Sequence, residues 1–181
     1  YKVWFDASET TYTSEWYNDK TDLSSGNAVT VSAPGTTSGV NAVLDAGGSI
    51  SGKVINASST AIQGVTVYAY SITTGLYVTQ AVTDASGNYE LGGLESDGYK
   101  IQFSAASLGY VDEWYNNKND WSTSENVYVT APNAMTGINA TLDAGGSISG
   151  TVTNVSSTGL QGISVYAYSA TTQTYVAEAM T

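Results

Sequence analysis

The sequence has neither cysteine nor histidine in 181 residues. Without cysteine there is no disulfide framework and no thiol nucleophile, and the redox compartment cannot be read. Without histidine the side chain most often used as general base or imidazole metal ligand near neutral pH is missing. Positive charge is scarce: five Lys and no Arg stand against 16 Asp and Glu, for a net charge of −11. Nucleic-acid binding and docking to an anionic membrane both need cations, so both are excluded for this segment. No apolar run approaches the ~18 residues of a membrane span. The chain opens on Tyr1 in mid-strand, which leaves no natural N-terminus in which to look for a signal peptide.

What is present points one way. Charged residues make up 12%, where soluble domains usually carry about 25%. Ser and Thr fill the gap with 47 positions, joined by 19 Gly and 14 Tyr. Thr, Val, Ile and Tyr suit a pleated, half-buried surface, and Gly suits turns. An acidic, hydroxyl-rich surface fits a protein that works outside the cell.

The sequence also repeats. AGGSISGKV at 46–54 returns as AGGSISGTV at 144–152, a shift of 98 residues. The same shift aligns 1–83 with 99–181 without a gap, and 46 of the 83 pairs are identical. A period that long implies an array of whole domains. The boundaries expected are 1–46 as the C-terminal part of one repeat, 47–144 as a complete repeat and 145–181 as the N-terminal part of the next. Residues 84–98 have no second copy. A segment of a longer repetitive polypeptide accounts for this better than a subunit whose front part completes its neighbour, since the latter exposes a sheet edge.

Strands are predicted throughout. In YKIQFSA at 99–105, Tyr99, Ile101 and Phe103 share the buried face, with Lys100 and Gln102 on the other. AVTVSAP at 28–34 and NVYVTAP at 126–132 read as strands stopped by proline. SGVNAVLDA at 38–46 turns Val40, Ala42 and Leu44 inward. The anchor SISGKVIN follows, then GVTVYAYSI at 64–72, where Val65, Val67 and Ala69 alternate with Thr66, Tyr68 and Tyr70. LYVTQAVT at 76–83 is expected to pair with YELGGL at 89–94 as a hairpin through DASGN. No segment carries a helical stripe. The fold class is all-β: tandem seven-strand Greek-key sandwiches, Ig-like or prealbumin-like.

GSISGxV, GVTVYAY, TDASGNYELGGL and the Y-K-I-x-F strand, in that order, resemble the carboxypeptidase regulatory-like domain family. That family is a prealbumin-like sandwich related to the B-type repeats of bacterial collagen adhesins and to starch-binding-like modules. The resemblance covers nearly all of 47–144. It implies a non-catalytic module of tandem arrays in prokaryotic surface proteins, and it names no ligand. Some adhesin repeats carry a Lys–Asn crosslink; Lys53 lies in the matching strand, but its copy is Thr151, while Lys2 and Lys100 alternate away from the core.

The candidate sites are few. The recurring acids Glu15/Glu113, Asp22/Asp120 and Asp45/Asp143 read as solvated turn carboxylates rather than a glycosidase pair, so no enzyme and no cofactor are expected. Asp84, Ser86, Asn88 and Glu90 alternate as oxygen ligands for calcium would, but without EF-hand spacing, and a turn built on Asp84 and Gly87 explains them better. Asp112, Glu113, Asn116 and Asp120 are a second weak set. Asn56, Asn139 and Asn154 begin glycosylation sequons. In the repeated EWYNxK loop, Trp16, Tyr17, Trp114 and Tyr115 would cap the sandwich or pack between domains, glue neighbouring arrays together, or stack on sugars.

The joint is the mechanical feature. Only Asp45, Ala46, Gly47 and Gly48 separate one repeat from the next, and Asp143, Gly145 and Gly146 recur in the second joint. That is too short for a flexible tether. The expected function is an extracellular, cell-surface stalk, fibre or filament whose partners are neighbouring repeats or copies of itself. The alternative is a carbohydrate-binding module of a secreted polysaccharide-active protein.

Overall fold

The computed structural model describes residues 1–8, 10–171 and 173–181. They form two compact units, Tyr1–Gly145 and Gly146–Thr181. In the first, β1 (Trp4–Phe5) and β2 (Glu15–Trp16) precede β3 (Gly48–Asn56), β4 (Thr66–Ser71), β5 (Tyr77–Val82), β6 (Asn88–Leu94) and β7 (Asp97–Ser104). Four short strands follow: β8 (Glu113–Trp114), β9 (Val127–Val129), β10 (Ala134–Met135) and β11 (Ala140–Leu142). Apart from one turn of 3-10 helix at Ala106–Leu108, the described residues hold strands and loops. No helix among them is long and apolar enough to cross a membrane.

From β3 onward the first unit is a sandwich. One sheet pairs β3 antiparallel with β6, and β10 and β11 lie parallel on the other edge of β3. The second runs β5-β4-β7, with β8 and β9 sharing the far edge of β7. Ile50, Val54, Leu91 and Leu94 from the first sheet meet Val67, Ala69, Ile101 and Phe103 from the second, all fully buried. On β4 the alternation read from the sequence is what the fold uses: Val67, Ala69 and Ser71 are buried and Thr66, Tyr68 and Tyr70 half-buried. The all-β sandwich class therefore stands.

Four strand expectations need correction. β5 and β6 are not a hairpin, although the turn between them forms. The Gly87 amide donates to the Asp84 carbonyl at 2.9 Å, and the Val54 amide to the Gly87 carbonyl at 2.8 Å, which carries β6 onto β3. Meanwhile Thr83 anchors the end of β5 to the 62–65 loop, so the turn crosses between sheets. In the first repeat, 28–34 and 38–46 form no strand. Their backbone bonds are isolated ones: Tyr1 and Val29 exchange a pair at 2.7 Å, Gly35 donates to the Ser32 carbonyl, and Asp45 accepts from the Thr13 amide. In the second repeat, 126–132 is a strand only at Val127–Val129.

The second unit, taken alone, is the antiparallel pair β12 (Ser164–Tyr168) and β13 (Tyr175–Met180). Its copy of the anchor strand, 147–152, is not a strand.

One burial expectation is also corrected. Lys100 does point away from the core, yet it is buried, at 8% exposure, because the 120–124 loop folds over it and its ammonium donates to the Ser124 carbonyl. Lys2 does the same more openly with the carbonyls of Leu23 and Ser24.

Candidate functional site at the joint and the aromatic face

The joint is held by backbone on both sides. Asp45 accepts from the Thr13 amide at 2.9 Å, Gly47 donates to the Thr11 carbonyl at 2.8 Å, and Tyr12 bridges Ala46. Gly47 leads straight into β3, whose first residue is Gly48. A Cβ on Gly47 would lie 2.6 Å from the Gly93 backbone, and one on Gly48 would lie 2.4 Å from Val129 Cγ1. Gly93 has φ of 67° and sits so close to Tyr12 that a Cβ would reach its carbonyl at 2.9 Å. Only glycine permits such close approach of one main chain to another. The 10–13 loop thus docks on the end of β6 within the first unit.

The second joint repeats the first half of this arrangement. Asp143 accepts from the Val111 amide at 2.9 Å, Gly145 donates to the Gly109 carbonyl at 2.8 Å, and Tyr110 bridges Ala144. Gly146 begins the second unit.

The EWYNxK loops are tight turns. Trp114 and Lys118 exchange backbone bonds at 2.7 and 3.0 Å, and Asn116 and Asn117 between them have φ of 64° and 55°. Asn18 and Asp19 repeat the conformation. Asn and Asp tolerate the left-handed region better than other non-glycine residues, which explains their place in the motif.

The paired aromatics separate. Trp114 lies opposite Gln102 on the outer face of the β4–β7 sheet, 5.6 Å from Tyr70 and 5.5 Å from Trp121. Tyr68 and Tyr77 extend the cluster, each within 6.4 Å of Tyr70. Tyr115 instead packs against the core and donates its amide to the Ile101 carbonyl at 2.8 Å. Trp16 stacks on Trp4 at 5.1 Å, and Tyr17 donates its amide to the Val3 carbonyl. The sequence did not single out Trp121, whose copy is Leu23. In the second unit Tyr168 and Tyr175 contact each other at 6.2 Å, as their copies Tyr70 and Tyr77 do.

The oxygen-rich loops are occupied with their own main chain. Asp84 accepts from the Ser86 and Asn88 amides, both at 2.8 Å, and the Asn88 bond foremost holds its carboxyl below the usual value. Asn88 and Glu90 are exposed on the outer face of β6. Asp112 accepts from the Ala105 and Ala106 amides, Asp120 from the Thr123 amide and the Ser122 hydroxyl, and Asn116 donates to Glu125. Among the described residues no three acidic groups converge.

Asn56 and Asn154 head matching turns. Their side-chain oxygens accept from the amides two and four residues on, at 2.9–3.0 Å; Asn154 is exposed and Asn56 half-buried. Exposed Asn139 uses its side-chain oxygen differently, accepting the Lys53 amide at 2.8 Å beside the β3 edge.

Glu15 and Glu113 are not the solvated carboxylates expected. In each, Oε1 is buried and accepts no hydrogen bond. Desolvation first, and Asp143 second, push Glu113 up to about 7; Glu15 is raised by desolvation, then by Asp19 and Asp45. The reason is register: each glutamate stands opposite a phenylalanine, Phe103 or Phe5, and so faces inward.

Solved structures similar to this chain include two from Bacillus and one from a streptococcus. The Bacillus anthracis TIE protein is 15% identical with a TM-score of 0.42, over 75% of this chain and 24% of that one. The major pilin subunit of Bacillus cereus is 18% identical with a TM-score of 0.37, over 53% and 28%. A streptococcal ancillary pilin is 12% identical with a TM-score of 0.44, over 94% and 56%. The chain thus spans from about a quarter to just over half the length of these proteins. No curated protein matches. Residues 49–143 match the family profile described as the carboxypeptidase regulatory-like domain, and the chain belongs to that family.

Proposed function

We propose that this chain is a non-catalytic structural segment of an extracellular, cell-surface stalk or filament. In this reading 1–46 closes one sandwich repeat, 47–144 is a complete repeat and 145–181 opens the next. The observation that carries it is the first joint, where Gly47 packs on Gly93 and the 10–13 loop holds Asp45 and Gly47 by main-chain bonds. A joint with that little slack transmits position along the chain, which is the work of a stalk. Its partners are then neighbouring repeats and other copies of itself, with the Tyr70–Trp114 face available for lateral contact and Asn56, Asn139 and Asn154 available for glycans. A sequence without His or Cys, and no three acidic groups converging among the described residues, are in keeping with a role without chemistry.

Antibody against this chain, applied to intact native cells and viewed by electron microscopy, tests the reading. Decorated surface filaments, together with an intact native mass many times 18.8 kDa or a ladder of assembled subunits, support it. Label confined to the cytoplasm sinks it. A carbohydrate-binding module makes the contrary prediction: binding on a glycan array that Trp114→Ala abolishes while the fold persists.

A further inference from the structure

Glu113 is a carboxyl that the fold has turned inward without giving it a partner. It faces Phe103 across the β7–β8 pair, and its Oε1 is buried and bare. Glu15 repeats this opposite Phe5, again with a bare, buried Oε1. After desolvation, nearby acids raise each carboxyl: Asp143 for Glu113, and Asp19 followed by the joint's Asp45 for Glu15. The same arrangement thus occurs twice in one chain.

The loop that carries this glutamate also closes the joint. The Val111 amide reaches the Asp143 carbonyl and the Gly145 amide reaches the Gly109 carbonyl; Thr13 and Gly47 make the matching bonds to Asp45 and Thr11. We propose that Glu113 with Asp143, and Glu15 with Asp45, make each joint a proton-operated latch, closed while the glutamate holds its proton and loosened when both carboxyls are charged. A neutral carboxyl tolerates a bare oxygen far better than an ionised one does, and a like charge nearby compounds the penalty. The relief available is to swing the 109–114 loop outward, which gives up the two joint bonds and lets water reach Glu113.

The neighbouring charges do not supply a counter-ion. Asp112, adjacent in sequence, is turned away and spent on the Ala105 and Ala106 amides and the Ser104 hydroxyl. Lys100 lies on the opposite face of β7 and donates to Ser124. Lys118 closes the tight turn through its main chain with Trp114. The direction of the effect follows from linkage. A carboxyl raised on folding binds its proton more tightly in the closed form. The stability it lends is complete below the ordinary carboxylate range and is lost as pH rises from about 4.5 towards about 7. The latch is independent of whether the chain forms a filament, since it needs only the first unit.

Amide hydrogen exchange on the whole chain from pH 4.5 to 8.5, corrected for intrinsic rates, tests it. Protection at Val111 and Gly145 should fall at least about tenfold with a midpoint near neutrality, the change that one pH unit of altered proton affinity gives. Core amides such as Val67 and Ile101 should hold. In Glu113→Gln the loop amides should stay protected at every pH, and in Asp143→Asn the midpoint should move to lower pH. Identical profiles in wild type and Glu113→Gln would overturn the latch. Should Glu113→Gln not fold, carboxyl-carbon NMR of wild type decides: a Glu113 midpoint in the ordinary carboxylate range overturns the proposal, and one near neutrality that drops in Asp143→Asn sustains it.

Discussion

Gly47 and Gly93 stand backbone against backbone, so closely that a Cβ on the first would lie 2.6 Å from the Cα of the second. Neither chain can retreat easily, because Gly47 is tied to Thr11 and a Cβ on Gly93 would press on the Tyr12 carbonyl. Gly47→Ala should therefore cost about 1–3 kcal/mol through overpacking. Gly92→Ala is the control: a Cβ there meets nothing nearer than the Thr10 carbonyl at 3.7 Å, an ordinary contact. Urea unfolding of both variants checks this. Equal midpoints would mean that the joint accommodates a side chain and has slack after all.

The outer aromatic face makes a second prediction. Trp114 and Trp121 meet edge to face at 5.5 Å, and both contact Tyr70. Such pairs contribute about 0.5–1.5 kcal/mol beyond the area they bury. A double-mutant cycle with Trp114→Leu and Trp121→Leu should return a coupling of that order. The same cycle between Trp16 and Trp121 should return none, because Trp16 stacks on Trp4 instead. A coupling near zero for the first pair would mean that the rings merely share a surface.

Asn139 offers a test on the other sheet. Its side-chain oxygen takes the Lys53 amide at 2.8 Å, where the parallel edge is interrupted between β10 and β11. Asn139→Ala should cost about 0.5–1.5 kcal/mol, the net value of one hydrogen bond, while Asn139→Asp keeps an acceptor and should cost less. Hydrogen exchange at the Lys53 amide reads the bond directly. Unchanged protection in the alanine variant would remove Asn139 from the account of the edge.

Local alternation and turn chemistry were legible in the sequence, and pairing was not. Val67 and Ala69 face inside on β4, a half-buried strand whose period of two is written in the residues. The turn at Asp84 and Gly87 was also readable, yet nothing local says that the strands on either side join different sheets. The inward face of Glu113 is hidden from the sequence for a related reason. Its inward face is set by a two-residue pairing with β7 that carries no periodicity of its own. Lys100 alternates outward as its position demands, and only the fold of the 120–124 loop buries it. Trp121 has Leu23 at the equivalent position of the other copy, so repetition does not mark it.

Thr83 decides the crossing between sheets, and it makes the sharpest stability test. Its hydroxyl donates to the Ile62 carbonyl at 2.7 Å and accepts the Val65 amide at 2.9 Å, both within the buried interior. Its own amide and carbonyl bind Val65 and Gly64, so four bonds fasten the end of β5 to the loop before β4. Thr181 makes matching bonds to Ile163 and Gly162 in the second unit. Valine has nearly the shape of threonine, so Thr83→Val leaves packing intact and strands a buried amide and a buried carbonyl. That should cost about 1–3 kcal/mol. Thr83→Ser restores the hydroxyl and should recover most of the loss, apart from about 1 kcal/mol for the missing methyl. If the valine variant unfolds at the wild-type urea concentration, the hydroxyl is not what holds β5 away from β6, and the core contacts of Ala81 and Val65 must do so instead.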